Sequence, residues 1–185
     1  MKNIKIVIGG DGAVGKTTLM QRLVGSLEEI EKVKMTAGIE IHTIIVELPS
    51  GEEVKCSCFD LGGQEQFHFL HADFFKGAEI IIFMYSVEWF HSFKDLTKWE
   101  SMIHKNTPVK KIYLIANKID SPRRLLYREE GIEFAKARNW QYHEISAMTG
   151  ENVDHLRLDL EKTIKNIARE KKITIKQRYP LISTS

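Results

Sequence analysis

The sequence predicts an α/β protein: a mostly parallel sheet of six strands, with one antiparallel strand at its edge and helices on both faces. Short apolar runs of strand length alternate along the chain with longer segments of helical periodicity. Strands that alternate with helices have to lie parallel, because each crossover returns the chain to the same end of the sheet. The turn Pro49-Ser50-Gly51-Glu52 indicates one antiparallel hairpin.

The first element is the buried strand Ile4 to Ile8, and a glycine-rich turn leads from it into a helix whose leucines recur at helical spacing. The predicted hairpin pairs Glu40 to Leu48 with Glu53 to Asp60. A short helical segment and three repeats of strand and helix follow. They are the segment Phe67 to Phe75, the strands Glu79 to Ser86, Lys111 to Asn117 and Gln141 to Ile145, and the helices Ser92 to Lys105, Tyr127 to Asn139 and Val153 to Lys171.

Composition limits the classes of function. A chain of 185 residues with 43% apolar residues is enough for one domain with a substantial core. The net charge of +2 gives no global field that would favour a nucleic-acid partner. The two cysteines, Cys56 and Cys58, share one face of a strand and cannot bridge each other while it stays extended. This pattern favours a reducing, cytoplasmic setting.

Neither a secretion signal nor a membrane span is predicted. The start Met1-Lys2-Asn3-Ile4-Lys5 is followed by too short an apolar run for a signal peptide, and no run reaches the length of about 20 residues that a span needs. No lipidation motif is encoded, so we expect membrane contact to be peripheral at most. The expected organisation is one domain over residues 1–172 and a flexible basic tail over 173–185.

The strongest motif is Gly10-Asp11-Gly12-Ala13-Val14-Gly15-Lys16-Thr17, which fits G-x-x-x-x-G-K-[ST] between a predicted strand and a predicted helix. Its glycines let successive backbone N–H groups turn toward phosphate oxygens, and the helix that begins at Lys16 adds its positive N-terminal end. We expect Lys16 to reach the β- and γ-phosphates and the Thr17 hydroxyl to bind Mg²⁺, with Thr18 beside it in the nucleotide site. This P-loop leaves ATPase, kinase and GTPase open.

The second motif, Asn117-Lys118-Ile119-Asp120, ends a buried strand. An aspartate there can accept hydrogen bonds from guanine N1–H and the exocyclic amine, whereas adenine has an acceptor at N1. Asp120 therefore favours guanine. With this motif the sequence resembles the Ras superfamily of small GTPases, whose N-K-x-D element reads guanine. The resemblance implies a G domain in which the Lys118 stem lies along the base and Asn117 ties this loop to the P-loop.

Two further motifs resemble the switches of that superfamily. Thr36 resembles the switch I threonine, which implies a hydroxyl that binds Mg²⁺ and an amide that touches the γ-phosphate. Asp60-Leu61-Gly62-Gly63-Gln64-Glu65 resembles the D-x-x-G-Q element of switch II. The resemblance implies that Asp60 holds Mg²⁺ through water, that the Gly63 amide meets the γ-phosphate and that Gln64 orients the attacking water. The implied catalytic residues are Gln64, Lys16 and Thr36.

A last motif, Glu144-Ile145-Ser146-Ala147, resembles the E-x-S-A loop, whose alanine amide meets guanine O6. Ser146, Ala147 and Met148 therefore join the predicted site, with Met148 where relatives usually have lysine. The resemblance runs from Ile4 to about Lys172 and is nearest to the Rab and Ras branches, although Asp-Leu-Gly-Gly-Gln is more typical of Arf and Gα proteins. Of the positions of Ile41 and Phe59, which are usually aromatic in Rab proteins, only Phe59 is aromatic here.

The implied function is a Mg²⁺-dependent switch in signalling or vesicle trafficking that binds GTP and GDP. It is expected to act as a monomer, to bind effector proteins in its GTP state, and to use a GTPase-activating protein and an exchange factor. No arginine lies between Ser26 and Met35 to act in cis, so slow hydrolysis is expected. Two alternatives stay open, a GTP-dependent scaffold with negligible turnover and a P-loop ATPase or nucleotide kinase; Gln64 weighs against the first and Asp120 against the second.

Overall fold

The structure, a computed structural model, describes residues 2–25, 28–34, 39–62, 68–103, 105 and 107–178. Seven strands and six helices are assigned within these ranges. The strands are β1 (Lys2–Gly9), β2 (Glu28–Lys34), β3 (Glu40–Glu47), β4 (Glu53–Asp60), β5 (Ile80–Ser86), β6 (Lys111–Asn117) and β7 (Gln141–Ile145). The helices are α1 (Lys16–Gly25), α2 (His68–Phe75), α3 (Phe90–Lys94), α4 (Leu96–Ser101), α5 (Arg128–Lys136) and α6 (Val153–Arg178).

The strands form one sheet in the order β2-β3-β4-β1-β5-β6-β7, and the predicted α/β fold class is confirmed. Strand β1 pairs in parallel with β4 and β5, and β5, β6 and β7 continue the parallel part. The predicted hairpin is present, with β3 antiparallel to β4. Five parallel strands, β1, β4, β5, β6 and β7, therefore end at one edge of the sheet, where open α/β sheets bind their ligands.

All six predicted strands are present, and the sheet has a seventh, β2, which pairs antiparallel with β3. Strand β3, predicted at the edge, is therefore covered by β2, although it stays the one strand that runs against the others. The sequence pattern did not indicate β2, because Glu28–Lys34 contains only two apolar residues, Ile30 and Val33. They form neither a continuous apolar run nor an alternating apolar pattern, which are the signals of a strand in a sequence. Backbone pairing with β3 defines it instead.

Helices cover both faces of the sheet. The side chains of Ile4, Ile6 and Ile8 belong to a core shared with α1 and α6, whereas Val7 belongs to a core shared with α2, α4 and α5. This alternation follows from the two-residue period of a strand. Every residue of β5 is buried, as expected for a central parallel strand covered on both sides.

Two helices differ from their predicted form. The helix predicted over Ser92 to Lys105 is instead α3 and α4, separated by Asp95. The last helix was predicted to end at Lys171, but the backbone of α6 stays helical to Arg178. No glycine or proline interrupts the helix before Pro180, and the charged residues of this stretch are good helix formers. Among the described helices, none is both long and apolar enough to cross a membrane.

Candidate nucleotide site

A cavity of about 690 Å³ opens at the edge where the five parallel strands end. Its walls come from the loop after β1, the start of α1 and the loops after β4, β5, β6 and β7. It brings together most of the predicted nucleotide residues that the structure describes. Those that line it are Gly12, Ala13, Gly15, Lys16, Thr17, Thr18, Asn117, Lys118, Asp120, Ala147 and Met148.

Five other predicted residues, Gly10, Asp11, Val14, Asp60 and Ser146, support these walls from buried positions and do not line the cavity. Three predicted residues, Thr36, Gly63 and Gln64, lie outside the described residues. Their assignment therefore stays a prediction.

The phosphate-loop backbone requires glycine at two positions. Gly10 has a φ of 144°, and a Cβ there would lie 2.2 Å from the carbonyl oxygen of Met84. Gly15 has a φ of 101°, and a Cβ there would lie 2.3 Å from Asn117 Nδ2. Residues with side chains rarely adopt such φ values, and neither position has room for one. The glycines of the motif therefore fix both the turn of the loop and its packing on β5 and β6.

Lys16 is buried, with 5% of its surface exposed, and its ammonium donates hydrogen bonds of 2.6 Å to the carbonyl oxygens of Gly10 and Asp11. Burial lowers the pKa of Lys16 to about 8, and the carboxylates of Asp60 and Asp11 oppose that shift. A cation held at the base of a loop of backbone N–H groups suits an anionic ligand, because the ligand's negative charge offsets the cost of burying the ammonium.

Thr17 and Asp60 meet at the end of β4, where the Thr17 hydroxyl donates to Asp60 Oδ2 at 2.6 Å. Asp60 is 3% exposed, and its other oxygen, Oδ1, is buried without a hydrogen-bond partner. Burial raises the pKa of this carboxyl, while the Thr17 hydrogen bond and the charge of Lys16 lower it. A buried carboxylate oxygen without a partner next to a hydroxyl is a donor set that fits a hard cation such as Mg²⁺.

Asn117 connects the two sides of the cavity. It is 2% exposed, its Nδ2 donates to the carbonyl oxygen of Val14 at 2.7 Å, and its Oδ1 accepts from the backbone N–H of Ala147 at 2.8 Å. The predicted tie between this loop and the P-loop is therefore present. The Ala147 amide, expected to meet guanine O6, donates to Asn117 here, so it has to change or share its acceptor to contact a base.

The loop expected to read the base lies at the open end of the cavity. Lys118 has a φ of 68°, a conformation uncommon for a residue with a side chain. Asp120 is exposed and lines the cavity, and Met148 has 73% of its surface exposed at the rim. Behind the rim, Arg22 of α1 donates from Nε to the carbonyl oxygen of Ala147 and from Nη2 to that of Met148.

Sequence reasoning did not identify Arg22, because no motif marks it. It also did not identify Glu88, which follows β5 and lines the cavity. Glu88 Oε1 accepts from the Ser121 hydroxyl at 2.5 Å and from Arg123 Nη2 at 3.2 Å, while Oε2 lies 3.2 Å from Lys118 Nζ. Hydrogen bonds from Ser121 and Lys118 hold the pKa of the Glu88 carboxyl below its usual range. Its place just after a buried parallel strand was a usable signal.

Trp99 of α4 packs against the phosphate loop from inside the protein, away from the cavity. It is 1% exposed, and its indole Nε1–H donates to Asp11 Oδ1 at 2.9 Å. The ring also lies beneath the start of the loop, because a Cβ added to Gly9 would lie 2.9 Å from Trp99 Cε3. The Asp11 side chain is therefore directed into the protein, and it contributes to the loop's support.

The fold and cavity define a P-loop nucleotide-binding protein, and comparison with known proteins identifies the family. A sequence model described as "Ras family" matches residues 5–166. The chain is 35% identical to the Ras-related protein Rab-18 of Caenorhabditis elegans over an alignment of 156 residues, and this alignment covers 83% of this chain and 75% of that protein. It is 32% identical over 179 residues to human Rab-30, an alignment that covers 96% of this chain and 87% of that protein. It is also 32% identical over 171 residues to Arabidopsis thaliana RABA5b, where 90% of this chain and 77% of that protein are covered.

The chain belongs to the Ras family of small GTPases. It is a GTPase and a GTP-binding switch, and the relatives compared above are Rab proteins.

Proposed function

We propose that this protein is a guanine-nucleotide switch that binds GTP and GDP together with Mg²⁺, hydrolyses GTP slowly, and presents different switch surfaces in its two nucleotide states. One observation carries the proposal. The phosphate loop and the N-K-x-D loop open on the same cavity, and Asn117 is hydrogen-bonded to the loops on both sides of it. A ligand with a purine at one end and phosphates at the other fits this arrangement.

At the phosphate end, the Lys16 ammonium and the backbone N–H groups of Gly12 to Thr18 bind and orient the β- and γ-phosphates. The Thr17 hydroxyl and the Asp60 carboxylate, the latter through water, would hold Mg²⁺, with Thr36 as a third ligand from switch I. When bound, Mg²⁺ neutralises negative charge that develops during phosphoryl transfer. The contacts of Lys16 with the Gly10 and Asp11 carbonyl oxygens keep its ammonium at the base of the loop.

At the base end, Asp120 selects guanine by accepting from N1–H and the exocyclic amine. The test is Asp120→Asn, assayed by competition between GTP and xanthosine triphosphate for the same site. We expect the variant to lose GTP affinity and to gain preference for the xanthine nucleotide, whose carbonyl replaces the guanine amine. Asp154→Asn, at an exposed carboxylate near the start of α6, is the matched control. Unchanged preference for GTP in Asp120→Asn would refute the assignment.

Hydrolysis is assigned to Gln64, which orients the attacking water, with charge stabilisation by Lys16 and the phosphate-loop amides. The segment Ser26 to Met35 offers no arginine, so turnover by the protein alone should be slow. A partner that supplies an arginine could add a factor of roughly 10³ to 10⁵, equivalent to about 4 to 7 kcal/mol of barrier. After hydrolysis, loss of the γ-phosphate releases Thr36 and Gly63, and the switch conformation changes.

Gln64→Leu tests this mechanism against that of a scaffold without turnover. Single-turnover hydrolysis by the wild-type protein should be measurable and slow, and the variant should lose most of it while keeping nearly the same GTP affinity. Thr17→Asn should favour GDP over GTP, because loss of the Mg²⁺-binding hydroxyl costs more where the γ-phosphate adds negative charge beside the ion. If wild-type protein shows no single turnover, the scaffold is correct; fast multiple turnover by wild-type protein alone would contradict the need for a partner.

Partners are proposed as effector proteins in the GTP state, a GTPase-activating protein and an exchange factor. The proposed effector surface includes the partly buried apolar side chains of Ile41, Phe59 and Phe74. Ile41 pairs with Phe59 across the hairpin, and the rings of Phe59 and Phe74 lie 5.9 Å apart. We further propose that residues 1–172 form the G domain, that 173–185 form a basic extension, and that membrane contact in trafficking or signalling is peripheral. A pull-down with GTP-analogue and GDP forms tests partner choice.

A further inference from the structure

We propose that Glu88 is a positioning residue for guanine-nucleotide binding, which holds the Lys118 side chain in place beside the base. The inference rests on the proposed function and goes beyond it by adding a third strand end, that of β5, to the residues that position the base. The known motif residues of this region follow β6 and β7, whereas Glu88 follows β5. Its carboxylate lines the same cavity as Lys118 and Asp120.

The two oxygens of Glu88 have separate roles. Oε2 lies 3.2 Å from Lys118 Nζ, and Oε1 accepts the 2.5 Å hydrogen bond from the Ser121 hydroxyl. One carboxylate therefore contacts the residues immediately before and after the Ile119-Asp120 turn. The bond from Arg123 Nη2, at 3.2 Å, adds less, because 83% of the Arg123 side chain is exposed.

The position of Glu88 is itself fixed by backbone contacts. The N–H of Val87 donates to the carbonyl oxygen of Asn117 at 3.0 Å, and the N–H of Glu88 donates to the Ser86 hydroxyl at 3.3 Å. The first bond connects the ends of β5 and β6 directly, and the second fixes the turn that follows β5. The Glu88 side chain is 18% exposed, whereas that of Lys118 is 35% exposed, so the more buried partner of the pair restrains the more exposed one.

The restraint matters because lysine has a long flexible side chain that loses rotamer entropy when it is fixed. With the Lys118 ammonium already held by Glu88, part of that entropy is lost before the nucleotide binds. The pair also neutralises the ammonium at the base end of the cavity, which leaves the Lys118 stem as an apolar surface for the purine. Glu88 therefore acts through Lys118 and has no direct contact with the base in this role.

The experiment is a double-mutant cycle on GDP dissociation constants, measured with purified full-length protein at saturating Mg²⁺. Glu88→Gln removes the charge but keeps an oxygen for the Ser121 hydroxyl. We expect it to weaken GDP about twofold to fivefold, the range typical of a partly exposed charge pair. The same change in a Lys118→Ala background should alter affinity by less than about 1.5-fold, because the interacting partner is already absent. Glu88→Ala should weaken GDP further than Glu88→Gln, since it also removes the acceptor for Ser121.

Two controls separate positioning from a general structural effect. Glu100→Gln breaks a similarly exposed pair, with Arg138 at 2.9 Å, and should leave the GDP dissociation constant unchanged. The effect of Glu88→Gln should also shrink in about 0.5 M salt, because screening weakens the Glu88–Lys118 pair in the wild-type protein. An equal loss with and without Lys118, or a loss that salt does not change, would overturn the proposal.

The outcomes also distinguish this inference from the proposed function. If the wild-type protein does not bind GDP, the proposed function fails and the inference fails with it. If the wild-type protein binds GDP and Glu88→Gln binds it equally well, only the role of Glu88 is wrong. If affinity falls and the loss disappears in the Lys118→Ala background, Glu88 positions Lys118.

Discussion

Asn117→Ala tests whether one side chain holds the phosphate side and the base side of the cavity together. The change removes the 2.7 Å bond to the Val14 carbonyl oxygen and the 2.8 Å bond from the Ala147 N–H. Each buried backbone group that loses its partner costs about 1–3 kcal/mol. Water can reach part of this site through the cavity, so we expect a loss nearer 2–4 kcal/mol in the free energy of unfolding.

The assay is thermal unfolding followed by circular dichroism at a fixed excess of GDP. A loss of about 3 kcal/mol corresponds to a fall in Tm of roughly 6 to 12 °C for a domain of this size. Because bound GDP adds RT ln(1 + [L]/Kd), the variant's GDP affinity has to be measured separately and its contribution subtracted. Faster GDP release should accompany the loss, since the same bonds shape the phosphate loop and the loop after β7.

Two further variants make the result specific. Asn117→Asp keeps an oxygen for the Ala147 amide but directs a carboxylate at the Val14 carbonyl oxygen, so it should destabilise at least as much as alanine. Asn3→Ala removes an exposed 3.3 Å bond with Ser57 and should change stability by less than about 0.5 kcal/mol. If Asn117→Ala matches the wild type in corrected Tm and in GDP release, the two sides of the cavity do not depend on this residue.

Three other perturbations have defined outcomes. Trp99→Phe removes the indole N–H that donates to Asp11 Oδ1, and we expect the free energy of unfolding in urea to fall by about 1.5–3 kcal/mol. An unchanged urea midpoint would contradict this role of the hydrogen bond. Gly10→Ala places a Cβ 2.2 Å from the Met84 oxygen, so GDP affinity by calorimetry should fall at least about tenfold, a cost of 1.4 kcal/mol or more. Burial raises the pKa of the Cys56 thiol from 9.0 to about 12. Between pH 9 and 12 the native state therefore keeps this proton while the unfolded chain releases it, so the free energy of unfolding falls as pH rises. In urea unfolding, Cys56→Ala should make this fall of stability with pH less steep, and an unchanged pH dependence would contradict the assignment.

Much of the fold was predictable because the positions of the predicted strands agreed with the positions of the motifs that follow them. The strands Lys111–Asn117 and Gln141–Ile145 have the predicted bounds: the first is a short apolar run that stops at a motif residue, and the second ends within the Glu144-to-Ala147 motif. The phosphate loop was predictable because the local backbone conformation of the loop requires glycine, and the spacing of those glycines is visible in the sequence. Strand β2 was not, since its position depends on pairing with β3 and not on burial.

The supporting residues of the site were harder to predict. Arg22 acts on the loop after β7 from more than a hundred residues away in sequence, and its position in α1 carries no sign of that contact. Trp99 has the spacing of a core residue, and the bond from its indole to Asp11 becomes visible only when α4 is placed against the phosphate loop. Such contacts depend on tertiary packing, which local patterns do not encode.

The seventh strand has a consequence for behaviour at high concentration. In the part of the chain that the structure describes, β2 pairs with β3 alone, so its other side offers backbone donors and acceptors to a neighbouring molecule. Five of the seven residues in Glu28–Lys34 are charged, and charges of this kind oppose edge-to-edge pairing between strands. Pairing between two such edges has to remove these charges from water, so the edge strand is the first place to examine if concentrated samples of this protein form larger species.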